Sequence, residues 1–268
     1  MLSDRSPLRR RLPRRSPRQE YEEYVSQRIE DYKNQLTREE LLALADDAVR
    51  ELETGQDGQL VLTEVLVLEH VDRLIKRRLR LPGQRRWSGQ HQRLREAQRQ
   101  PTHWGLPGDV PFMRVFEHLE PCDQVVTIGS GAAPAAYLLA AHEIDVLALV
   151  ESVEAADGVE TRAADQALTH HVQTVVVALG EWFPEDVCPG LVVLDPLVFS
   201  RLDATMQVRT MVQLRAVTLQ GGRHLILPVE HRGAVRSLAP EALLNHYTGW
   251  QVERGTHAKL RWFLAVKP

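Results

Sequence analysis

Four groups of residues in this chain combine type and spacing in a way that suits chemistry. The first is Gly129-Ser130-Gly131, which follows the apolar run Val125-Val126-Thr127-Ile128 and precedes a helix-forming run from Ala135 to Ala141. Strand, glycine turn and helix form the corner of a doubly wound sheet that cradles a phosphate or nucleotide. The glycines let the backbone approach a ligand, and the helix points unpaired N–H groups at it. The second is Glu151, about 20 residues past the turn, where an acid accepts both hydroxyls of a ribose. The third is Glu181-Trp182, an acid to bond an adenine amine and an indole to cover its face. The fourth is Asp195, at the end of the apolar run Leu191–Leu194. Asp195 and His103 are the candidate general bases, with His231 behind them. For each of the three, a purely structural role is the simpler expectation.

These residues need a sheet to bring them together, and the second half of the chain has the pattern of one. Apolar runs at Val125–Ile128, Ile144–Val150, Val172–Leu179, Leu191–Leu194 and His224–Leu227 alternate with helix-type stretches at Pro134–Ala141, Val153–Ala167 and Met206–Thr218. That alternation implies a parallel sheet covered on both faces. In such a sheet a ligand lies outside the carboxyl ends of the strands, where the strand order reverses, and all four groups follow strand ends. The last two strands, Trp250–Arg254 and Leu260–Val266, are too close together for a crossover and should pair antiparallel.

The first half reads differently. Residues 1–19 carry Arg5, Arg9, Arg10, Arg11, Arg14, Arg15 and Arg18 among prolines, a basic and disordered tail. Residues 20–107 read as a helical region. Thr37-Arg38-Glu39-Glu40 is a capping box that starts a second helix. Leu60–Leu81 is a third helix, apolar on nearly all sides in its first half and so expected to be buried. Arg73, Lys76, Arg77, Arg78, Arg85 and Arg86 follow, with Trp87 among them, a basic run with one aromatic that suits RNA. A solvated face paired with neighbouring acids is the competing account. The turn-rich segment from Pro101 to Gly108 is expected to fold over the pocket and bring His103 and Trp104 to a substrate. Residues 108–268 form the sheet domain.

Composition sets limits on function. Of 268 residues 43% are hydrophobic, enough for a core, and the net charge is −3, so the chain as a whole is not a polycation for nucleic acid. The two cysteines, Cys122 and Cys188, have no metal-ligand spacing, which indicates neither a zinc site nor a disulfide framework and suits a cytoplasmic protein. No run is long and apolar enough to span a membrane. No metal is expected.

Residues from about 123 to 268 resemble a class I S-adenosylmethionine-dependent methyltransferase domain. The resemblance is carried by Val125–Gly131 as the glycine motif, Val146–Glu151 as the second strand with its ribose acid, and Leu191–Phe199 as the fourth-strand motif. It extends to Leu214–Arg223 before the fifth strand, and to Leu243–Trp250 and Trp262–Val266, which are similar to the ending of small-molecule methyltransferases, including the tellurite-resistance type. It implies a Rossmann-like α/β fold, mostly parallel, whose seventh strand inserts antiparallel, preceded here by an all-α region. It also implies S-adenosyl-L-methionine as cofactor, held by Thr127, Gly129, Ser130, Gly131, Glu151, Glu181, Trp182 and Asp195, and a small-molecule acceptor. The sequence departs from the family at Thr127, where an acid is usual, at Ala133, where a third glycine is usual, and at Glu181, where Asp is common. The competing readings are an RNA methyltransferase gripping its substrate through the basic helices, and a catalytically silent methyltransferase fold that serves as a scaffold. The helical region is read as a lid or as the surface of a homodimer.

Overall fold

The structure is a computed structural model that describes residues 16–54, 64–106, 108, 112–116, 119, 124–184, 187–227, 240–257 and 260–268. The first fifteen residues, with most of the arginine-rich tail, as well as Cys122 and His231, lie outside the described residues. The chain divides into two compact units, Met1–Leu94 and Arg95–Pro268.

The first unit is helical. α1 (Pro17–Gln35) starts earlier than the composition suggested, within the stretch read as tail. Ser16 caps it by accepting from the Gln19 N–H, and Gln19 answers with its own side chain on the Ser16 N–H, so proline at the first turn costs no hydrogen bond. α2 (Arg38–Thr54) begins at the Thr37 capping box, where Glu40 accepts from the Thr37 N–H at 2.7 Å. α3 (Glu64–Arg78) buries Val71, Leu74 and Ile75 against Val25 and Ile29 of α1 and Leu44 and Ala48 of α2. It is not buried all round, as its sequence suggested: Val65 is 64% and Leu68 53% exposed, because its partners cover only the stripe bearing Val71, Leu74 and Ile75. α4 (Gln84–Gln98) carries the second part of the basic run, and its last turn, from Arg95 on, is counted with the second unit.

The second unit opens with a 3-10 turn (Pro101–Trp104) and α5 (Phe112–Phe116). Its sheet comprises β1 (Gln124–Ile128), β2 (Val146–Val150), β3 (Val172–Val176), β4 (Pro189–Leu194), β5 (Arg223–Ile226), β6 (Gln251–His257) and β7 (Leu260–Val266). The helices between them are α6 (Ala133–Ala141), α7 (Val153–Asp165), α8 (Pro196–Ser200), α9 (Ala204–Val217) and α10 (Pro240–Leu244). The seven strands lie in the order β3-β2-β1-β4-β5-β7-β6. β1 to β5 are parallel, and β7 inserts between β5 and β6, antiparallel to both. This is a doubly wound, mostly parallel α/β sheet with the antiparallel seventh strand that the resemblance implied.

Both faces of the sheet are buried, which explains why its central strands read as continuous apolar runs rather than alternating ones. Val125, Leu191 and Val193 face a core with α6 and α7, while Val126, Ile128, Val192 and Leu194 face one with α8 and α9. α6 is apolar all round and almost wholly buried. Phe199 of α8 is fully buried, worth about 1.5–3 kcal/mol. Residues 95–106, read from the sequence as part of the helical region, belong to this second unit. Trp104 packs at 5.2 Å on Tyr137 of α6, and its indole N–H donates to the Gln98 carbonyl at 2.6 Å.

Candidate functional site

The sheet order reverses between β1 and β4, which are direct neighbours. The residues that follow these strands meet there. Gly129 leaves β1 with φ 88° and ψ 147°, a backbone region essentially reserved for glycine. Its N–H donates to the Leu149 carbonyl of β2 at 2.8 Å. A Cβ at Gly129 would lie 3.0 Å from Asp195 Cβ and 3.2 Å from Val198 Cβ. Asp195, directly after β4, is buried and caps α8, accepting from the Leu197 N–H at 2.9 Å. Thr127 is a strand residue of β1 with 1% of its surface exposed.

Glu151 directly follows β2, the strand on the other side of β1. Ser130 holds its carboxylate twice: the Ser130 N–H donates to Oε2 at 3.0 Å and the Ser130 hydroxyl donates to Oε1 at 2.6 Å. Arg201, the C-cap of α8, reaches Oε1 from the β4 side at 3.5 Å. Partial burial pushes the Glu151 carboxyl up, but the Ser130 hydrogen bonds, helped by the Arg201 charge, outweigh it and hold the group below its ordinary value. The carboxylate is therefore ionised at neutral pH.

Glu181 and Trp182 lie beyond β3, the strand next to β2. Both of their N–H groups bond the Ala178 carbonyl, and Gly180 before them turns with φ 84° against Met206 of α9. Glu181 is exposed and Trp182 is 49% exposed. Among the described residues no hydrogen bond joins either side chain to Ser130, Glu151 or Asp195. Thus the structure gathers Gly129, Ser130, Glu151 and Asp195 at one edge of the sheet and leaves Glu181 and Trp182 at the surface of the same edge. Gly131 is part of the 3-10 turn Ser130–Ala132 that leads into α6.

The segment expected to cover the pocket packs elsewhere. Trp104 is a core residue against α6, with Arg162 over its ring at 6.0 Å. His103 is exposed, its ring edge-on to Trp104 at 4.7 Å. No hydrogen bond among the described residues ties it to the strand ends. His171 pairs with Asp145 at the surface, at 2.8 Å.

One contributor, Arg201, had not been singled out from the sequence, and one contact of an expected residue had not been read: Ser130 was expected at the cofactor as the middle of the glycine turn, but nothing local indicated that its hydroxyl spans to the next strand. Arg201 sits beyond a helix of five apolar or small residues, α8, which carries too few turns to show a period.

In the helical unit a cleft of about 400 Å³ is lined by Asp47, Arg50, Glu51, Thr54, Leu74 and Arg78. Its charges are paired: Arg78 and Arg50 with Asp47, and Arg77 and His70 with Glu51. Arg73 lies 3.6 Å from Glu69. Lys76, Arg85 and Arg86 are exposed. Trp87, the aromatic of the basic run, is buried, stacked on His91 at 4.6 Å and packed with Tyr21 and Tyr24. Among the described residues no cluster of three or more His, Cys, Asp or Glu side chains has metal-binding geometry, and no helix is long and apolar enough to cross a membrane.

No protein-family model and no curated protein matches the sequence. Solved structures similar to this chain include the glycopeptide N-methyltransferase MtfA complexed with S-adenosylhomocysteine, at 15% identity over 58% of this chain and 87% of that one, with a TM-score of 0.48. A TehB-like methyltransferase from Corynebacterium glutamicum is 14% identical over 67% of this chain and 98% of that one, with a TM-score of 0.45. The CcbJ methyltransferase from Streptomyces caelestis is 16% identical over 60% of this chain and 89% of that one, also at 0.45.

Proposed function

We propose that the second unit is an S-adenosylmethionine-dependent methyltransferase acting on a small molecule. The observation that carries this reading is the ionised Glu151 at the end of β2, held against the Gly129 turn at the end of β1 by both hydrogen-bonding groups of Ser130. The residues present fit the cofactor. Gly129 offers backbone where a side chain would collide with Asp195, and Glu151 offers acceptors suited to a ribose diol.

The cofactor supplies an electrophilic methyl group on a sulfonium sulfur. The chain's own work is positional. In this reading Glu151 would hold the ribose hydroxyls, the Gly129–Gly131 backbone would allow the ligand's close approach, Glu181 and Trp182 would take the adenine, and Asp195 and Thr127 would serve its methionine end. Methyl transfer gains most from aligning the acceptor with the methyl and from excluding water. An acceptor that is already anionic, or a neutral amine or thiol, needs no base, so the reading does not depend on a base beside Asp195.

The basic residues favour the small-molecule reading over RNA. Arg73, Arg77 and Arg78 have acidic partners within the helical unit, and Trp87 is used up in its core. Calorimetric titration with S-adenosylmethionine and S-adenosylhomocysteine tests the proposal. Saturable binding that Glu151→Ala weakens about tenfold or more is the expected result. No binding at millimolar ligand would overturn it and leave a methyltransferase fold serving as a scaffold.

A further inference from the structure

We infer that Ser130 is the positioning residue for Glu151, clamping the carboxylate so that its remaining acceptor capacity is held in place for ribose hydroxyls. The inference rests on the cofactor reading above and deepens it to the ribose.

A glutamate at the end of a strand has three rotatable bonds and sweeps a wide volume unless it is held. Here one residue grips both oxygens, through its N–H at 3.0 Å and its hydroxyl at 2.6 Å. Hydrogen bonds to an ionised acceptor are short and strong, and the second of these is. Ser130 is itself fixed by the Gly129 conformation before it and the 3-10 turn it begins. A carboxylate offers about four acceptor positions. Ser130 takes one on each oxygen and Arg201 approaches a second on Oε1 at 3.5 Å, so the remaining acceptor capacity, chiefly on Oε2, is held in place for a ribose hydroxyl.

The N–H half of the clamp is available to any residue at position 130 except proline. The hydroxyl half belongs to serine or threonine alone, so the identity of the middle residue in the Gly-x-Gly turn matters in this chain. Arg201 is the charged group that faces Glu151 from across the sheet edge, 3.5 Å from Oε1. Its side chain is largely exposed, so its share is sensitive to salt, whereas the Ser130 bonds are not. Burial raises the Glu151 carboxyl, but the two Ser130 hydrogen bonds, with its own backbone N–H and the Arg201 charge, together outweigh it and hold the group below its ordinary value, in agreement with this geometry.

The test uses the full chain and three variants. Affinity for S-adenosylhomocysteine and for its 2′-deoxyribose analogue is measured across pH 4 to 8 (roughly the window around a carboxylate's ordinary range) for the natural protein, Ser130→Ala, Ser130→Thr and Glu151→Gln. Ser130→Ala is expected to bind S-adenosylhomocysteine about tenfold more weakly, to lose its preference over the deoxy analogue, and to show its acidic loss of binding at higher pH. Ser130→Thr restores all three. Equal weakening for both ligands with an unmoved acidic limb, or unchanged affinity, overturns the inference. In parallel, the Glu151 carboxyl is titrated by carbon-13 NMR without ligand. Its midpoint should rise in Ser130→Ala, and an unmoved midpoint also overturns the inference. Failure of the natural protein to bind either ligand overturns the cofactor reading and the ribose role together, while the carboxyl titration still reads the clamp.

Discussion

Gly129 and Asp195 close the gap between β1 and β4: a Cβ on the glycine would stand 3.0 Å from the aspartate Cβ. Two effects therefore oppose any side chain at position 129. The backbone there costs about 1–3 kcal/mol for a residue with a Cβ, and the neighbouring strand end must move aside. Gly129→Ala should lower the melting temperature by several degrees and abolish cofactor binding. A melting curve and titration equal to those of the natural protein would show that the turn is looser than described.

His224 carries a pH dependence for the whole second unit. It is fully buried on β5, next to Thr218 Oγ1 at 2.7 Å and the Tyr247 hydroxyl at 2.8 Å. The Thr218 hydroxyl donates to the Leu214 carbonyl, so it accepts from His224 Nε2–H, which leaves Nδ1 to accept from Tyr247. Burial, with the nearby Lys267 and Arg215 charges, pushes the ring down to about 3 from 6.5. Above pH 6.5 the ring is neutral in both the folded and unfolded chain. Below it the unfolded chain takes up a proton that the folded chain refuses until about pH 3, so stability falls as pH drops through that interval. Between pH 7.5 and 5 the natural protein should lose on the order of 2 kcal/mol more than His224→Gln, as read by urea unfolding. Parallel pH profiles for the two proteins would refute this.

Gly255 and Trp262 are directly opposite each other on β6 and β7. The indole lies over the glycine, with its ring atoms in the space a Cβ would occupy. The glycine is the flat floor on which a large aromatic is buried beside an edge strand. Gly255→Ala forces the ring off its seat and should cost about 1–3 kcal/mol, visible as a lower urea midpoint and altered tryptophan fluorescence. A variant with both properties unchanged would show that Trp262 has a second resting place.

The sheet was legible because its strands are buried on both faces and punctuated by Gly129, Glu151, Gly180 and Asp195. Local patterns of that kind survive in a single sequence. The Thr37–Glu40 capping box was legible for the same reason, since it is complete within four residues. α1 was missed at its start because Ser16 and Gln19 form an equally local box inside a stretch whose arginines and prolines suggested disorder. α3 was misjudged because burial depends on how many neighbours pack around a helix, which its own sequence does not state. Trp104 and Trp87 look alike in sequence to a residue that covers a ligand, and only the positions of Tyr137, Tyr21 and Tyr24 make them core residues. At the candidate site the strand-end residues were readable one by one. The clamp of Ser130 on Glu151 was not, because it joins residues from two different strand ends.

The place of β7 between β5 and β6 sets an order of events during synthesis. Each of β2 to β5 has, on emerging, a neighbour that is already made: β1 for β2 and β4, β2 for β3, and β4 for β5. β6 leaves the ribosome before the strand it needs, and it has no edge to join until β7 follows. Closing the sheet is thus a step made by a hairpin rather than by single strands, and mutations in the short connection between β6 and β7 should slow maturation of the nascent chain more than they weaken the finished protein.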